Sequence, residues 1–274
     1  VLLACSAALL AAGGCGKKAP PKPAAVAAPP ARAAAVLVGS VRLASGHELP
    51  SYPPEQMERS VLAHVKGGTF PDICTPPKTE DRTPVRVTPD GKLIGVMVAA
   101  SEFSQHTPGA TAARVHDIAI KDCRLTPTIV VARIGDSLRI KNEVNYPLFP
   151  GLGSDSFNQN LSQGQSRDVA LDTGGVKILM CGFTAPCGRT DIIVLAHPFA
   201  AATDAKGEFR IDGFPADETV RLNAWHPLFG ETFINVRVAS GETKRVELVL
   251  TPMPPPPPPK PPPDPKAPKV KMPD

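Results

Sequence analysis

Aromatic residues are scarce in this chain: 5% of 274 positions, with a single tryptophan. Long hydrophobic runs are missing as well. The apolar stretch over residues 1–12 is too short to span a bilayer as a helix. No sign of charge dominates, because 30 basic residues face 26 acidic ones for a net +4. No basic block tracks phosphates, which excludes nucleic-acid binding. The chain has no Gly-x-Ser-x-Gly elbow, no His-Glu-x-x-His pair and no phosphate-cradling glycine loop. It is therefore read as a non-enzyme. Histidine is sparse too, and none lies between His116 and His197.

What the chain has in quantity is proline, 34 residues, and glycine, 22. Much of the proline sits at the two ends. Residues 19–35 are Ala/Pro-rich and cannot build a core, so they read as an extended tether. Residues 251–274, with their proline run and Lys260, Lys266, Lys269 and Lys271, favour solvated polyproline II. That tail serves as a spacer or as the contact for a protein or cell-wall partner. The middle is long enough for one or two small domains with cores of their own.

Between the tails the pattern is period-2 and β-branched. Strands are predicted at 36–43, 84–87, 93–99, 115–120, 128–133, 137–141, 166–171, 176–180 and 192–195. Four more are predicted at 208–211, 219–224, 233–238 and 245–250. The breaks between them carry turn residues, such as Pro89-Asp90-Gly91 and Ile134-Gly135-Asp136. One helix is predicted, over Glu55 to Lys66. Closely spaced short strands argue an all-β fold of the sandwich type. The paired acids Glu80 and Asp81 read as a solvated loop. His47, His64, His106 and His116 read as exposed, and Trp225 as core or an interdomain contact. His197 and His226, each before a proline, read as imidazoles bonded to backbone near a domain junction.

Small residues followed by Cys15 and then polar chain resemble the lipobox of bacterial lipoproteins. That resemblance implies a signal peptide over 1–14, cleavage before Cys15 and a lipid on that residue. Cys5 is followed by further apolar chain and is the poorer site. The compartment is then extracytoplasmic and permits disulfides.

The segment Asp122 to Asn142 is similar to the opening of a plastocyanin-type cupredoxin domain. Gln163 to Cys181 resembles the family's following strands, which run into the copper cysteine. His197-Pro198-Phe199, residues 203–211, Phe214-Pro215 and Trp225 to Gly230 resemble a carboxypeptidase regulatory-like module, a small transthyretin-like sandwich without catalysis. The tandem is similar to exported bacterial proteins, some of the methylamine-utilisation type. The resemblance implies a Greek-key cupredoxin-like sandwich at 36–196 and the regulatory-like module at 197–250. Gly39 to Pro50 and Gly95 to Ala99 also resemble early strands of that module. Residues 36–110 therefore pair either with the first domain or with the second, the copper-type domain then being inserted.

A blue-copper site takes two imidazoles, a thiolate and a weak axial donor. The family pattern places these on Leu148, Thr184, Cys181 and Cys187, so only the cysteine ligand is kept. No metal is expected, copper being the alternative with Cys181 and Cys187 as its candidates. Three roles stay open for these two: a structural disulfide, a Cu(I) dithiolate, or a redox pair. Five residues between them do not match the Cys-x-x-Cys redox spacing. If they pair, Cys74 and Cys123 are left for a second bridge, though four cysteines allow three connectivities.

The expected function is a non-catalytic envelope lipoprotein that binds or builds. It sits on a membrane through its lipid, on the periplasmic or surface face of the outer membrane. The alternatives are a periplasmic copper-binding or electron-transfer protein, and a carbohydrate- or peptide-binding module.

Overall fold

A computed structural model describes residues 34–53, 74, 80–104, 112–153, 159–182 and 185–254. The signal segment, Cys15, nearly all of the tether, the helix predicted over 55–66, Thr184, His64, His106 and residues 255–274 lie outside these. Among the described residues the fold is all-β: seventeen strands and one short 3-10 turn, Glu80–Arg82.

Two β-sandwiches make up the body. The first joins a three-stranded sheet to a four-stranded one. The three-stranded sheet has β1 (Ala35–Leu43) between β14 (Glu208–Phe214) and β17 (Thr243–Leu250). Antiparallel pairing joins β1 to β14. The parallel pairing with β17 runs in register from Val36 against Thr243 to Leu43 against Leu250. In the four-stranded sheet the order is β13 (Ala200–Ala202), β4 (Met97–Ser101), β15 (Thr219–Trp225) and β16 (Thr232–Arg237). Leu37, Val41, Val98, Phe209, Phe214, Leu222, Phe229 and Leu248 fill the space between the two sheets. A two-residue ladder, β2 (Arg86–Val87) with β3 (Leu93–Ile94), closes the Pro89-Asp90-Gly91 turn.

The second sandwich is contained in residues 115–195. One sheet orders β10 (Ser166–Ala170), β8 (Ser137–Asn142), β5 (Val115–Lys121) and β6 (Arg124–Thr126). The other orders β7 (Ile129–Arg133), β12 (Arg189–Leu195), β11 (Gly175–Gly182) and β9 (Phe149–Leu152). Ile118, Leu138, Ile140, Val130, Leu179 and Ile192 meet between them. Strand pairing thus assigns residues 35–43 and 97–101 to the sandwich of residues 200–250. The 115–195 sandwich is inserted into it.

Strands β12 and β4 explain how the two are joined. Both are buried along almost their whole length, on both faces. Ile192 and Val194 point into the inserted core, while Ile193 packs outward with Ile129 against Met97 and Ala99. Half-buried Val131, Leu195, Ala200, Ala202 and Trp225 complete this third core. A strand buried on both faces loses its polar alternation, which accounts for the unbroken apolar run Ile192 to Leu195.

Candidate functional site

The loop between β11 and β12 is the natural place to look for chemistry. Cys181, the penultimate residue of β11, pairs with Pro150 of β9. Its sulfur is bonded to that of Cys187, six residues on, with the Cα atoms 5.3 Å apart. Both cysteines are buried, together with Leu148 and Ala185. A second disulfide joins Cys74 to Cys123. It lies against the same core, because the Leu125 N–H donates to the Cys187 carbonyl at 2.8 Å. The four cysteines therefore brace one end of the inserted sandwich.

The scaffold around Leu148 is rigid. Asn142, fully buried, spends its side-chain polar atoms on the backbone on either side of β9. Its Nδ2 donates to the carbonyls of Tyr146 (2.8 Å) and Leu161 (2.7 Å), and its Oδ1 accepts the Val144 N–H (2.9 Å). The loop so held presents Leu148, paired with Leu161 across a β-bridge, and offers no imidazole. These residues do not fit a copper ion: one position is leucine and the thiolate is consumed in a disulfide. No cluster of three or more His, Cys, Asp or Glu able to hold a metal occurs among the described residues.

The histidines sit elsewhere. His47 is exposed. His116 is not: its Nε2–H donates to buried Asp136 at 3.0 Å. Burial pushes the Asp136 carboxyl up, but the His116 bond and the N–H groups of Arg114 and Arg133 outweigh it and hold it low. His197 and His226 use one device. Each Nδ1 accepts the N–H two residues on, that of Phe199 or of Leu228, at 3.2 Å, pinning the turn around the intervening proline. Burial lowers the basicity of His197.

His226 belongs to a polar knot between the sandwiches that the sequence pattern announces only indirectly. Asp191, on the outward face of β12, is fully buried. Arg189 meets its Oδ1 at 3.0 Å (Nε) and 2.7 Å (Nη2), and Tyr52 donates to its Oδ2 at 2.5 Å. The Arg189 guanidinium also lies over the Tyr52 ring, 4.0 Å from its centroid. His226 completes the knot, its ring 6.4 Å from that of Tyr52, and its buried Nε2 has no hydrogen-bond partner among the described residues. Burial, with help from Arg189, pushes its basicity down to about 3. Burial and the Asp191 charge push the Tyr52 hydroxyl up, so it stays a donor. Tyr52 comes from the first sandwich's early loop and its partner from the insert, 139 positions away. The only sequence signal was indirect: two charges, Arg189 and Asp191, opening an otherwise apolar strand.

Beside this knot a cleft of about 630 Å³ opens along the junction, lined by Asp81, Arg86, Asp122, Arg124, Arg189 and Asp204 among others. Asp81, read from sequence as part of a solvated loop, is largely buried. It pairs with Arg124 at 2.6 Å.

No family model and no curated protein sequence matches this chain. Its structural neighbours are cupredoxins. A purple cupredoxin from Nitrosopumilus maritimus is 15% identical over 29% of this chain and 98% of its own, with a TM-score of 0.26. Amicyanin from Paracoccus versutus is 14% identical over 35% and 96%, with a TM-score of 0.27. A copper-containing nitrite reductase from Thermus scotoductus SA-01 is 15% identical over 33% of this chain, with a TM-score of 0.27. Only a quarter of the reductase's length is covered. Such partial likeness transfers none of these proteins' chemistry to this chain.

Proposed function

We propose that this chain is a non-catalytic binding and architectural module of the bacterial cell envelope, lipid-anchored through Cys15. The carrying observation is the buried Cys181–Cys187 disulfide at the end of the inserted sandwich, next to Leu148. Metal binding there by soft ligands needs thiolates, and a disulfide supplies none. The short bridge and the Cys74–Cys123 bridge instead make that end rigid. An exported chain meets the oxidising conditions in which such bridges persist. Anchoring follows from the residues around Cys15, and the long Ala/Pro segment after it gives the body reach from a membrane.

The test is non-reducing peptide mass spectrometry of the protein exported to a periplasm, followed by a Cu(I) titration. The reading expects linked Cys181 and Cys187 peptides, no stoichiometric copper uptake and no intense visible absorption. Two free thiols at these positions with one tightly held copper per chain would overturn it in favour of a metal-binding protein. Globomycin-sensitive processing and detergent partitioning that depends on Cys15 test the anchor separately.

A further inference from the structure

Among the described residues, the first strand and the last, β1 and β17, lie side by side and run the same way. Eight residue pairs join them, from Val36 with Thr243 to Leu43 with Leu250. Hydrogen bonds continue the ladder past both ends. The Val36 N–H donates to the Glu242 carbonyl and the Ala44 N–H to the Leu250 carbonyl, each at 2.9 Å. An ion pair of Arg42 with Glu247, at 2.7 Å, crosses between the strands on the outer face.

The inner face locks the same two strands into the core of the first sandwich. Leu37 and Val41 of β1, with Leu248 and Leu250 of β17, are buried there. Near mid-ladder the missing side chain of Gly39 makes room for the Val246 carbonyl oxygen, which any Cβ would overlap. β1 is also the central strand of its sheet, paired along its other edge with β14. Moving β1 along its own axis therefore breaks two ladders and displaces buried apolar side chains at once. The inserted sandwich joins the first through β4 and β13, which belong to the opposite sheet, and so stands outside this route.

We infer that this body is a tension-bearing link, built to hold when its ends are drawn apart between the membrane and a partner of residues 251–274. Parallel strands place the entry of one and the exit of the other at opposite poles. A pull through both ends then meets every pair of the ladder together. Two handles at one pole would meet the pairs one after another. Forced unfolding is set by the rate of crossing a barrier, and a barrier that requires all the pairs to give together is crossed more slowly. This inference rests on the envelope-module reading, since an anchored chain is one with an end held fixed, and it names what that module withstands.

The experiment is single-molecule force spectroscopy of the full chain, disulfides intact, in two attachment geometries. In one, the handles are fixed at the two chain ends. In the other, one handle stays at the N-terminal end and the second is fixed at Ser240→Cys, an exposed turn position just before β17, at the Val36 pole. The end-to-end geometry is expected to need a several-fold higher force at the same pulling speed, with the insert still folded when β1 and β17 part. Equal forces in the two geometries overturn the inference, and so does an insert that unfolds before the ladder. The ratio of the two forces does not depend on a lipid at Cys15 or on the thiol count. This inference and the envelope-module reading therefore fail separately.

Discussion

Lowering the pH should unlock the junction between the sandwiches, and His226 sets how strongly. In the folded chain its imidazole stays neutral down to about pH 3, because it is buried and faces Arg189. In the unfolded chain the same group takes a proton near pH 6.5. Between those values the unfolded state binds more protons, so stability contributed by the neutral form is complete above about pH 6.5 and is lost as pH falls toward 3. The separation corresponds to about 5 kcal/mol in all, of which about 2 kcal/mol is gone by pH 5. The assay is urea denaturation at pH 7 and pH 5 of the wild type and of His226→Asn. Asparagine keeps an acceptor for the Leu228 N–H, as in an Asx turn, and removes the titration. The variant will be less stable at both values, since its smaller side chain leaves space in a packed junction. The informative quantity is the change between them: the wild type should lose about 2 kcal/mol more than the variant. Equal losses would refute the reasoning, as would an NMR titration placing His226 near its ordinary value.

Other perturbations follow from the same geometry. Asp191→Ala strands the buried Arg189 and should cost about 3–5 kcal/mol by urea denaturation, whereas replacing both residues by apolar ones of similar size costs much less. Removing the Cys181–Cys187 bridge by paired serines should cost about 2 kcal/mol, and removing Cys74–Cys123 about 4 kcal/mol, because the second closes the longer loop. The reverse order in denaturant midpoints would show that loop entropy does not govern these bridges. Gly39→Ala should lower the melting temperature sharply. A Cβ there would sit 2.2 Å from the Val246 carbonyl oxygen and 2.7 Å from Phe209 Cζ, overpacking worth about 1–3 kcal/mol.

Strand content was legible in the sequence where burial is one-sided. Ser137 to Asn142 alternates with Leu138, Ile140 and Asn142 inward, and its period-2 pattern marks it without any tertiary knowledge. Three short strands escaped, for local reasons. Phe149–Leu152 contains Pro150 and Gly151, both strand-poor residues. Arg124–Thr126 and Ala200–Ala202 are too short to show a period. The β12 strand was read only from Ile192, since Arg189 and Asp191 look like solvent-facing charges until the opposing sandwich covers them. The same blindness hid Tyr52, whose partner is distant in sequence, and made His116 look exposed when Asp136 holds it. Polar residues satisfied across a domain junction carry no local signature. Their meaning depends on which surfaces the fold brings together.

The parallel pairing of β1 with β17 has a mechanical consequence. The chain enters the body at the Ala35 end of β1 and leaves it at the Leu250 end of β17, at opposite poles of one ladder. A pull applied through both termini slides these two strands past each other along their shared axis. All the hydrogen bonds from Val36 to Leu43 are then loaded together in shear, none being peeled first. The load passes directly from strand to neighbouring strand and bypasses the inserted sandwich. A body held at one end and tugged at the other would resist with its whole central ladder, leaving the insert undistorted.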